Sequence, residues 1–475
     1  MPDGASWRRA RCRRRWSAPW PRRPRAAANW EREKDASARP AGRYSWTSGM
    51  TVREMAEAAR TASRRLANAS TAAKNAALER IAANLEARRD TIVAANRADL
   101  EHAAGAGVAA PLIQRLGLEK KYAGVVDGVR QLIALPDPAG EILGRRRLDD
   151  DFVLTRIAVP IGVLGIVFES RPDALVQIAT LCLKSGNAAI LKGGSEASRT
   201  NAALFDAIDA ALREDPALAG ALHLAETRAE IQSLLALDDL VDLIIPRGSN
   251  ELVRDIKDAT RIPVMGHADG ICHVFVDAGA DVAMAARITR DAKTQYPAVC
   301  NAAETLLVHE AIAPRFLPAA ALALRDAGVE LRGDAATRAL IEAAPCSDAD
   351  WDTEYLDLVL AIKVVAGFDE AVEFINAHGS HHTDTIVTAD AAAAESFLSR
   401  VDSATVLWNA STRFADGFRF GMGAEVGIST NRVHARGPVG LDGLVTYKYQ
   451  VRGSGQVVAD YESGARSYRY EELPT

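Results

Sequence analysis

Short apolar runs that are typical of buried β-strands alternate with helical patterns along most of this chain. In the first series the strand-like runs cover 162–168, 188–192 and 241–245, and a helical pattern follows each of them. Parallel strands need a long crossover of this kind, whereas antiparallel strands can be joined by short turns. The alternation therefore predicts an α/β fold built on a parallel, doubly wound sheet.

A second series of the same kind follows Cys300. Its strand-like runs cover 305–309, 358–365 and 385–388, again with helical patterns between them. The length of 475 residues leaves room for more than one domain. We therefore expect two doubly wound α/β domains.

Other secondary structure flanks these two series. Residues 51–135 are Ala-rich and amphipathic, which predicts a set of helices. Residues 152–159 alternate in polarity and follow a charged, turn-like stretch, so a β-hairpin is expected near 139–160. Residues 445–458 return to strand composition, and we expect this late strand to pair with the earlier arm or with another subunit.

The first 49 residues differ from the rest in composition. They hold 13 of the 57 Lys and Arg residues, 4 of the 62 Asp and Glu residues and five of the seven tryptophans, without helical or strand periodicity. Such a basic, aromatic segment suits contact with nucleic acid or a membrane surface. The interpretation we prefer is a disordered extension, or upstream sequence translated from a misassigned start, because the segment cannot bury a core.

Hydropathy and cysteine usage narrow the class of protein. No stretch approaches the roughly 18 uninterrupted apolar residues of a membrane helix, and the N-terminus lacks the apolar centre of a secretory signal, so we expect a cytoplasmic protein. Its cysteines are odd in number and contain no CxxC pair: Cys12, Cys182, Cys272, Cys300 and Cys346. This pattern argues against a disulfide framework and against a zinc knuckle.

One cysteine has the setting of a nucleophile. Cys300 lies in the turn-prone segment 296–301, between a helical pattern and a strand. Cys182 falls on an apolar helical face, Cys272 in a core strand and Cys346 in a loop. Most free cysteines are inert small hydrophobic residues, and position alone leaves that interpretation open for Cys300.

Several long motifs resemble the aldehyde dehydrogenase superfamily, and within it the acyl-phosphate reductases. They cover residues 160–172, 184–187, 191–197, 246–249, 266–270, 300–305 and 409–438. The match extends from about Met50 to Tyr461. The resemblance implies a cofactor-binding domain (50–295, with an oligomerisation hairpin near 139–160), a catalytic domain (296–435) and a β oligomerisation arm completed by residues 436–475.

The resemblance makes Cys300 the nucleophile and implies NADPH as the cofactor. It assigns the cofactor to Lys192, Ser195, Glu196, Gly248, Ser249 and Glu354. Lys192 would reach the adenosine ribose or its 2′-phosphate, because the carboxyl end of a strand suits an anion site. Gly248 and Ser249 open a helix whose amides can receive phosphate. Glu354 matches the glutamate that holds the nicotinamide ribose in relatives.

The same resemblance assigns the residues that are expected to bind the substrate. Residues 169–172 stand where hydrolytic relatives carry an oxyanion-hole asparagine, and Ser170 and Arg171 are expected to bind substrate there. Arg171, Arg413 and Arg436 are planar cations suited to carboxylate or phosphate, and a structural ion pair is the alternative for each of them. The Asn301 amide, next to Cys300, is a hypothetical oxyanion donor.

Two further features concern water and metals. Residues 266–270 stand where hydrolytic relatives carry a glutamate that activates water, and no such base is evident. Three histidines and Asp384 fall within residues 378–384, a density that metal sites also show. That stretch connects a helix to a strand and matches a family motif that needs no metal, so no metal is expected. His382 and Asp384 remain candidates for substrate contact.

The function that this resemblance implies is NADPH-dependent reduction of L-glutamyl 5-phosphate to L-glutamate 5-semialdehyde and phosphate. The reaction would pass through a Cys300 thioester and belong to proline biosynthesis. A separate glutamate kinase would supply the acyl phosphate, and we expect a homo-oligomer that binds neither nucleic acid nor membrane. Another acyl phosphate or an aldehyde is the alternative substrate. A fold member retained for structural or binding duty is the alternative of a different class.

Overall fold

The computed structural model describes residues 49–475 except Ala109, Ser170 and Ala268. Its first part is helical, with α1 (Val52–Leu66), α2 (Thr71–Ala87), α3 (Arg89–Gly105), α4 (Ala110–Leu116) and α5 (Tyr122–Ala134). At the start of α1, Thr51 and Glu54 each accept a hydrogen bond from the backbone of the other, which satisfies two free amides. The helices predicted between 51 and 135 are confirmed. The predicted extension lies outside the described residues, Gly49 excepted.

A β-hairpin follows these helices. Strand β1 (Ile142–Asp149) pairs antiparallel with β2 (Phe152–Pro160), and the chain turns at Asp150 and Asp151. The hairpin predicted near 139–160 is therefore confirmed.

The first parallel sheet and its helices come next. They are β3 (Val163–Phe168), α6 (Pro172–Ser185), β4 (Ala188–Lys192), α7 (Ser198–Leu212), β5 (Leu222–Ala225), α8 (Arg228–Leu235), β6 (Leu243–Arg247) and α9 (Asn250–Ala259). The strand order is β5-β4-β3-β6, with parallel pairing throughout. Strand β5 was not expected, because its sequence Leu-His-Leu-Ala contains no β-branched residue.

The second parallel sheet has seven strands. Its elements are β7 (Cys272–Val276), α10 (Val282–Thr294), β8 (Ala303–His309), α11 (Ala313–Arg325), β9 (Glu330–Gly333), α12 (Ala335–Leu340), β10 (Ala344–Pro345), β11 (Val359–Val365), α13 (Phe368–His378), β12 (Thr383–Val387), α14 (Ala391–Arg400) and β13 (Thr405–Trp408). The order is β10-β9-β11-β8-β7-β12-β13. Strand β7 belongs to this sheet although it precedes the predicted boundary at residue 295, because it pairs with β8 and β12. The domain boundaries themselves stay predictions.

The last part of the chain returns to the hairpin. Its elements are β14 (Gly427–Ser429), β15 (Gly437–Val439), β16 (Val445–Arg452), α15 (Val458–Glu462) and β17 (Glu471–Leu473). Strands β14 and β15 pair with each other. An antiparallel sheet forms in the order β16-β2-β1-β17, so the late strand pairs with the earlier arm, as one of the two predicted alternatives stated.

Both parallel sheets are covered on their two faces. Strand β3 is buried along its whole length, and α6 against it is almost entirely buried, as the near-continuous apolar runs require. A separate core surrounds β7, β8 and β11. Among the described helices, none combines the length and the apolar composition needed to cross a bilayer.

One buried ion pair joins the elements on either side of Cys300. Lys293 in α10 and Glu304 in β8 lie 2.6 Å apart, and both side chains are fully buried. Glu304 also accepts a hydrogen bond from the backbone nitrogen of Leu356 at 3.4 Å. Burial raises the pKa of Glu304 to about 7, against the opposing effect of Lys293. The pair therefore holds both ends of the turn that carries the thiol.

Replacement of Lys293 by Met tests this pair. The variant leaves a buried carboxyl group without its cation, and we expect the free energy of unfolding to fall by about 3–5 kcal/mol. The double variant Lys293→Met/Glu304→Leu removes both charges and should recover most of that loss. Urea denaturation measures the free energy of unfolding of the single and the double variant. Equal losses in the single and double variants would show that packing, and not charge pairing, is what Lys293 contributes.

Candidate active site

The thiol of Cys300 lies at the amino-terminal edge of the second sheet. His267, Cys300 and His382 stand just before β7, β8 and β12, three strands that are neighbours in the sheet. Cys300 occupies a turn, as predicted, and is half-buried. Gly270 allows the segment before β7 to pass this closely, because a Cβ atom there would clash with the Cys300 backbone.

Two histidine rings converge on the sulfur. The Cys300 Sγ and one nitrogen from each of His267 and His382 all lie within 4.8 Å of one another. The two rings meet edge to face, with centroids 5.0 Å apart. The sequence predicted neither histidine as a partner of the nucleophile.

Hydrogen bonds determine which nitrogen of each ring is available. His267 Nδ1 lies 2.9 Å from the carbonyl oxygen of Ile428, which can only accept, so Nδ1 carries the proton. His382 Nδ1 lies 2.8 Å from the Thr383 hydroxyl, and its buried Nε2 has no hydrogen-bond partner among the residues that the structure describes. In both rings, Nε2 is the nitrogen left to interact with the sulfur.

The histidines change the acidity of the thiol. Burial alone would raise the pKa of Cys300, but the adjacent His382 and His267 rings outweigh it and hold that pKa well below its usual range. Burial opposes the charged form of His267, yet the Cys300 thiolate and the bond to Ile428 raise its pKa to about 9. An ionised thiol paired with imidazolium is the activated form of a cysteine nucleophile.

The other described cysteines lack this activation. Burial raises the pKa of Cys182 and of Cys272, and it raises that of Cys346 to about 11. Cys182 lies in α6 and Cys272 in β7, as the sequence predicted. Cys12 lies outside the described residues. The contrast supports Cys300 as the reactive thiol.

Asn301 is buried beside the nucleophile. One N–H of its side-chain amide donates to the carbonyl oxygen of Ala415 at 2.8 Å, and its Oδ1 is buried without a partner. Only the second N–H is left for an oxyanion, so the predicted oxyanion role rests on that group.

Two arginines, Arg413, which is buried, and Arg247, which is partly buried, lie near enough to the thiolate to be affected by its charge. Burial lowers the pKa of both Arg413 and Arg247, and the Cys300 thiolate is among the charges that counter this effect. Arg413 Nε donates to Gln295 at 2.9 Å, and Arg247 Nη1 donates to the backbone of Glu425 at 3.0 Å. The sequence predicted Arg413 as an anion-binding residue but missed Arg247, which ends β6.

The remaining substrate residues have local partners. Arg171 is exposed and pairs with Asp173 at 3.1 Å, and Arg436 donates to Asp402 at 2.8 Å. Both pairs match the structural alternative that the sequence left open. Ser170 lies outside the described residues. Substrate binding by these residues stays a prediction.

The predicted cofactor residues lie at the carboxyl end of the first sheet. Lys192 ends β4, is buried, and donates to the carbonyl oxygen of Gly193 at 2.6 Å. Ser195 and Glu196 form a single 3₁₀ turn directly after it. A Cβ atom at Gly193 would clash with Asn201, and one at Gly194 would clash with Glu196. The side chains of Asn201 and Glu196 therefore fill the space beside the two glycines.

The start of α9 is occupied by a carboxylate. Ser249 caps this helix, and its backbone nitrogen donates to Glu169 at 2.9 Å. Gly248 lies so close to Glu169 that a Cβ atom would clash with it. Glu169 therefore takes the position of an anion at the helix terminus where the sequence predicts phosphate binding.

Glu354 is linked to the same helix. The Asn250 side-chain amide donates to Glu354 at 2.8 Å and to Asp269 at 2.7 Å, bridging α9 to the second parallel sheet's loops. Burial raises the pKa of Glu354, while the bond from Asn250 opposes that rise. Glu354 is thereby held beside the predicted phosphate-binding turn.

The histidine-rich stretch does not form a cluster of its own. His378 pairs with Asp352, and His381 with the backbone of Asp402. Asp384 is buried in β12 against His273, away from the thiol. Only His382 of this stretch reaches Cys300.

Comparison with known proteins identifies relatives that match most of this chain. The profile of the aldehyde dehydrogenase family matches residues 25–344. The chain is 57% identical over 399 residues to the γ-glutamyl phosphate reductase of Parasynechococcus marenigrum, covering 84% of this chain and 92% of that protein. It is 53% identical over 425 residues to that of Acetivibrio thermocellus, covering 89% and 99%. The crystal structure of the Thermotoga maritima γ-glutamyl phosphate reductase superposes with a TM-score of 0.83 at 43% identity, covering 86% and 100%.

The pH dependence of Cys300 alkylation tests the histidine pairing. The rate of iodoacetamide reaction should stay nearly constant from about pH 6 to 8 in the unmodified protein, because the thiol is already ionised. In His382→Gln it should rise with pH towards the ordinary thiol pKa of about 8.5. Peptide mapping by mass spectrometry assigns the label, with Cys346 as the internal control. The same profile in His382→Gln and His267→Gln as in the unmodified protein would contradict activation by these rings.

Proposed function

Because this chain belongs to the aldehyde dehydrogenase family, we propose that it is an NADPH-dependent acyl-phosphate reductase that converts L-glutamyl 5-phosphate to L-glutamate 5-semialdehyde and inorganic phosphate. The observation that carries the proposal is the thiol of Cys300, held ionised by two imidazoles. The names of the relatives support the choice of substrate and a place in proline biosynthesis.

The first step uses the thiolate as the nucleophile. The Cys300 sulfur attacks the acyl carbon, the bond from that carbon to the phosphate oxygen breaks, and inorganic phosphate leaves with the bonding pair. A γ-glutamyl thioester remains on the enzyme. Arg413 and Arg247 are the cations that supply positive charge near the departing phosphate.

The thioester then accepts a hydride. When bound, NADPH supplies that hydride to the carbonyl carbon. Cys300 holds the acyl group in one place during the transfer, and a thioester is a far better electrophile than a free carboxylate. The second N–H of Asn301 donates to the oxyanion that develops. When the aldehyde leaves, His382 and His267 stabilise the thiolate again.

The residues around Lys192 fit a phosphorylated dinucleotide. Lys192, Ser195 and Glu196 would hold the adenosine ribose and its 2′-phosphate, with the Lys192 ammonium group as the cation. Gly248 and Ser249 would receive the pyrophosphate at α9, and Glu354 the nicotinamide ribose. Because Glu169 occupies the Ser249 amide, its carboxylate must turn away when phosphate binds.

The partners follow from the same chemistry. A kinase on another chain must supply the acyl phosphate. Strand β16 is the edge of its sheet and exposes Tyr447, Tyr449 and Val451, which supports contact with a second copy of this chain.

Lys192→Gln tests the cofactor assignment. Loss of the ammonium group should raise the KM for NADPH about tenfold, equivalent to about 1.4 kcal/mol, and reduce the preference for NADPH over NADH. Steady-state kinetics with both cofactors measure this. The exposed Lys257→Gln in α9 is the control and should change neither constant. An unchanged preference for NADPH over NADH in Lys192→Gln would show that this lysine does not bind the 2′-phosphate.

Run backwards, the enzyme should oxidise glutamate 5-semialdehyde continuously only when inorganic phosphate is present. Phosphate is already an anion and needs only a cationic pocket, whereas water needs a base. Without phosphate we expect one stoichiometric burst of NADPH as the Cys300 thioester accumulates. Cys300→Ser should show neither burst nor turnover. Stopped-flow absorbance of NADPH separates the initial burst from the continuous turnover.

Two comparisons sharpen this experiment. Arg413→Gln should raise the phosphate requirement about tenfold, or about 1.4 kcal/mol, whereas Arg400→Gln, whose guanidinium pairs with Asp369 in the second parallel sheet's helices, should change it little. Steady turnover to glutamate without phosphate that is lost in His267→Gln would make His267 a base for water. That result would place the protein with the hydrolytic dehydrogenases.

A further inference from the structure

Cys300, His267 and His382 also form a set of metal-ligand atoms. Their sulfur and nitrogen atoms all lie within 4.8 Å of one another, and the part of the chain that the structure describes contains no other group of three such side chains. Thiolate and imidazole together are the ligands that zinc prefers among divalent cations. The catalytic role proposed above uses these atoms without a metal.

The hydrogen bonds of the two rings prepare them as ligands. A metal-binding histidine usually donates its second nitrogen to a carbonyl or another acceptor, which orients the ring. His267 Nδ1 does this with Ile428, and His382 Nδ1 bonds to Thr383. His382 is fully buried, and its Nε2 has no hydrogen-bond partner among the described residues. A buried nitrogen of this kind is costly unless something binds it.

We propose that these three residues bind Zn²⁺ reversibly and that the bound ion blocks the nucleophile. Ligand atoms in a tetrahedral zinc site stand about 3.5 Å apart, since each lies about 2.0–2.3 Å from the ion. The three atoms therefore need to approach one another by at most about 1.3 Å, a distance within the reach of side-chain rotation. Because Cys300 is half-buried, its open side can give the ion a water molecule as the fourth ligand.

The binding step exchanges protons for a metal. The thiol of Cys300 and the ligand nitrogen of each ring release to solvent whatever proton they carry, and the lone pairs of the sulfur and of the two nitrogens form the bonds to zinc. Nothing is oxidised or reduced. While the sulfur is coordinated it cannot attack an acyl phosphate, and an acylated Cys300 cannot bind the ion. Zinc and acyl substrate therefore exclude each other.

Calorimetric titration of zinc chloride into the chelator-treated full-length protein tests the proposal. We expect one ion per chain, with activity lost in parallel and restored by EDTA. Cys300→Ser, His382→Gln and His267→Gln should each weaken binding at least tenfold. Cys346→Ser should bind zinc and turn over as the unmodified protein does, because that cysteine lies elsewhere, in the loop after β10. Cobalt chloride should give a thiolate-to-cobalt charge-transfer band that Cys300→Ser lacks.

Binding and catalysis fail in distinguishable ways. The titration and the cobalt band need no turnover, so they remain interpretable if the acyl-phosphate activity is absent. Zinc affinity that is unchanged in both Cys300→Ser and His382→Gln would overturn the proposal, because the ion would then bind elsewhere. Inhibition without a one-to-one isotherm would also overturn it. Circular dichroism of each variant separates lost ligands from lost folding, and the two histidine variants provide independent tests.

Discussion

A charged sulfur at a half-buried position is the constraint that the active site must satisfy. Transfer of a thiol out of water favours its neutral form, yet the nucleophile is the thiolate. The imidazole rings of His267 and His382 resolve this conflict by placing positive charge beside Cys300. They can do so only because β8, β7 and β12 are neighbours, which brings the segments before all three strands to one edge. The order of the strands is thus what sets the acidity of the thiol.

The two parallel sheets contribute opposite edges to the site. Lys192 and Arg247 end β4 and β6 of the first sheet, where ligands of doubly wound folds commonly bind. Cys300 and its histidines precede strands of the second sheet. Asn250 connects the two sides through its bonds to Asp269 and Glu354. In the proposed reaction a nucleotide held at one edge would lie beside an acyl group held at the other, an arrangement that suits transfer of a hydride between them.

The sequence predicted the local features and missed those that depend on pairing across the fold. The apolar runs located most of the parallel strands, and the turn-prone setting of Cys300 separated it from Cys182 and Cys272. His382 was noticed only as part of a histidine-rich stretch, because its approach to a cysteine 82 positions earlier follows from strand order. The Arg171 partner, Asp173, stands two residues away, so local spacing alone could have revealed that pair. Arg436 could not have been matched with Asp402 in this way.

Glu169 shows why a phosphate site read from a motif can be occupied by the protein itself. The amides at the start of α9 attract an anion, and without a ligand the nearest available anion is this carboxylate. Its bond to Ser249 satisfies a donor at the helix terminus, and in the proposed cofactor site this carboxylate would repel the pyrophosphate that replaces it. Because one amide cannot serve both, stability of the ligand-free form and affinity for the cofactor oppose each other at this position. The same competition applies at Cys300, where the ring nitrogens whose protons stabilise the thiolate are also the ones that a zinc ion would bind once those protons have left.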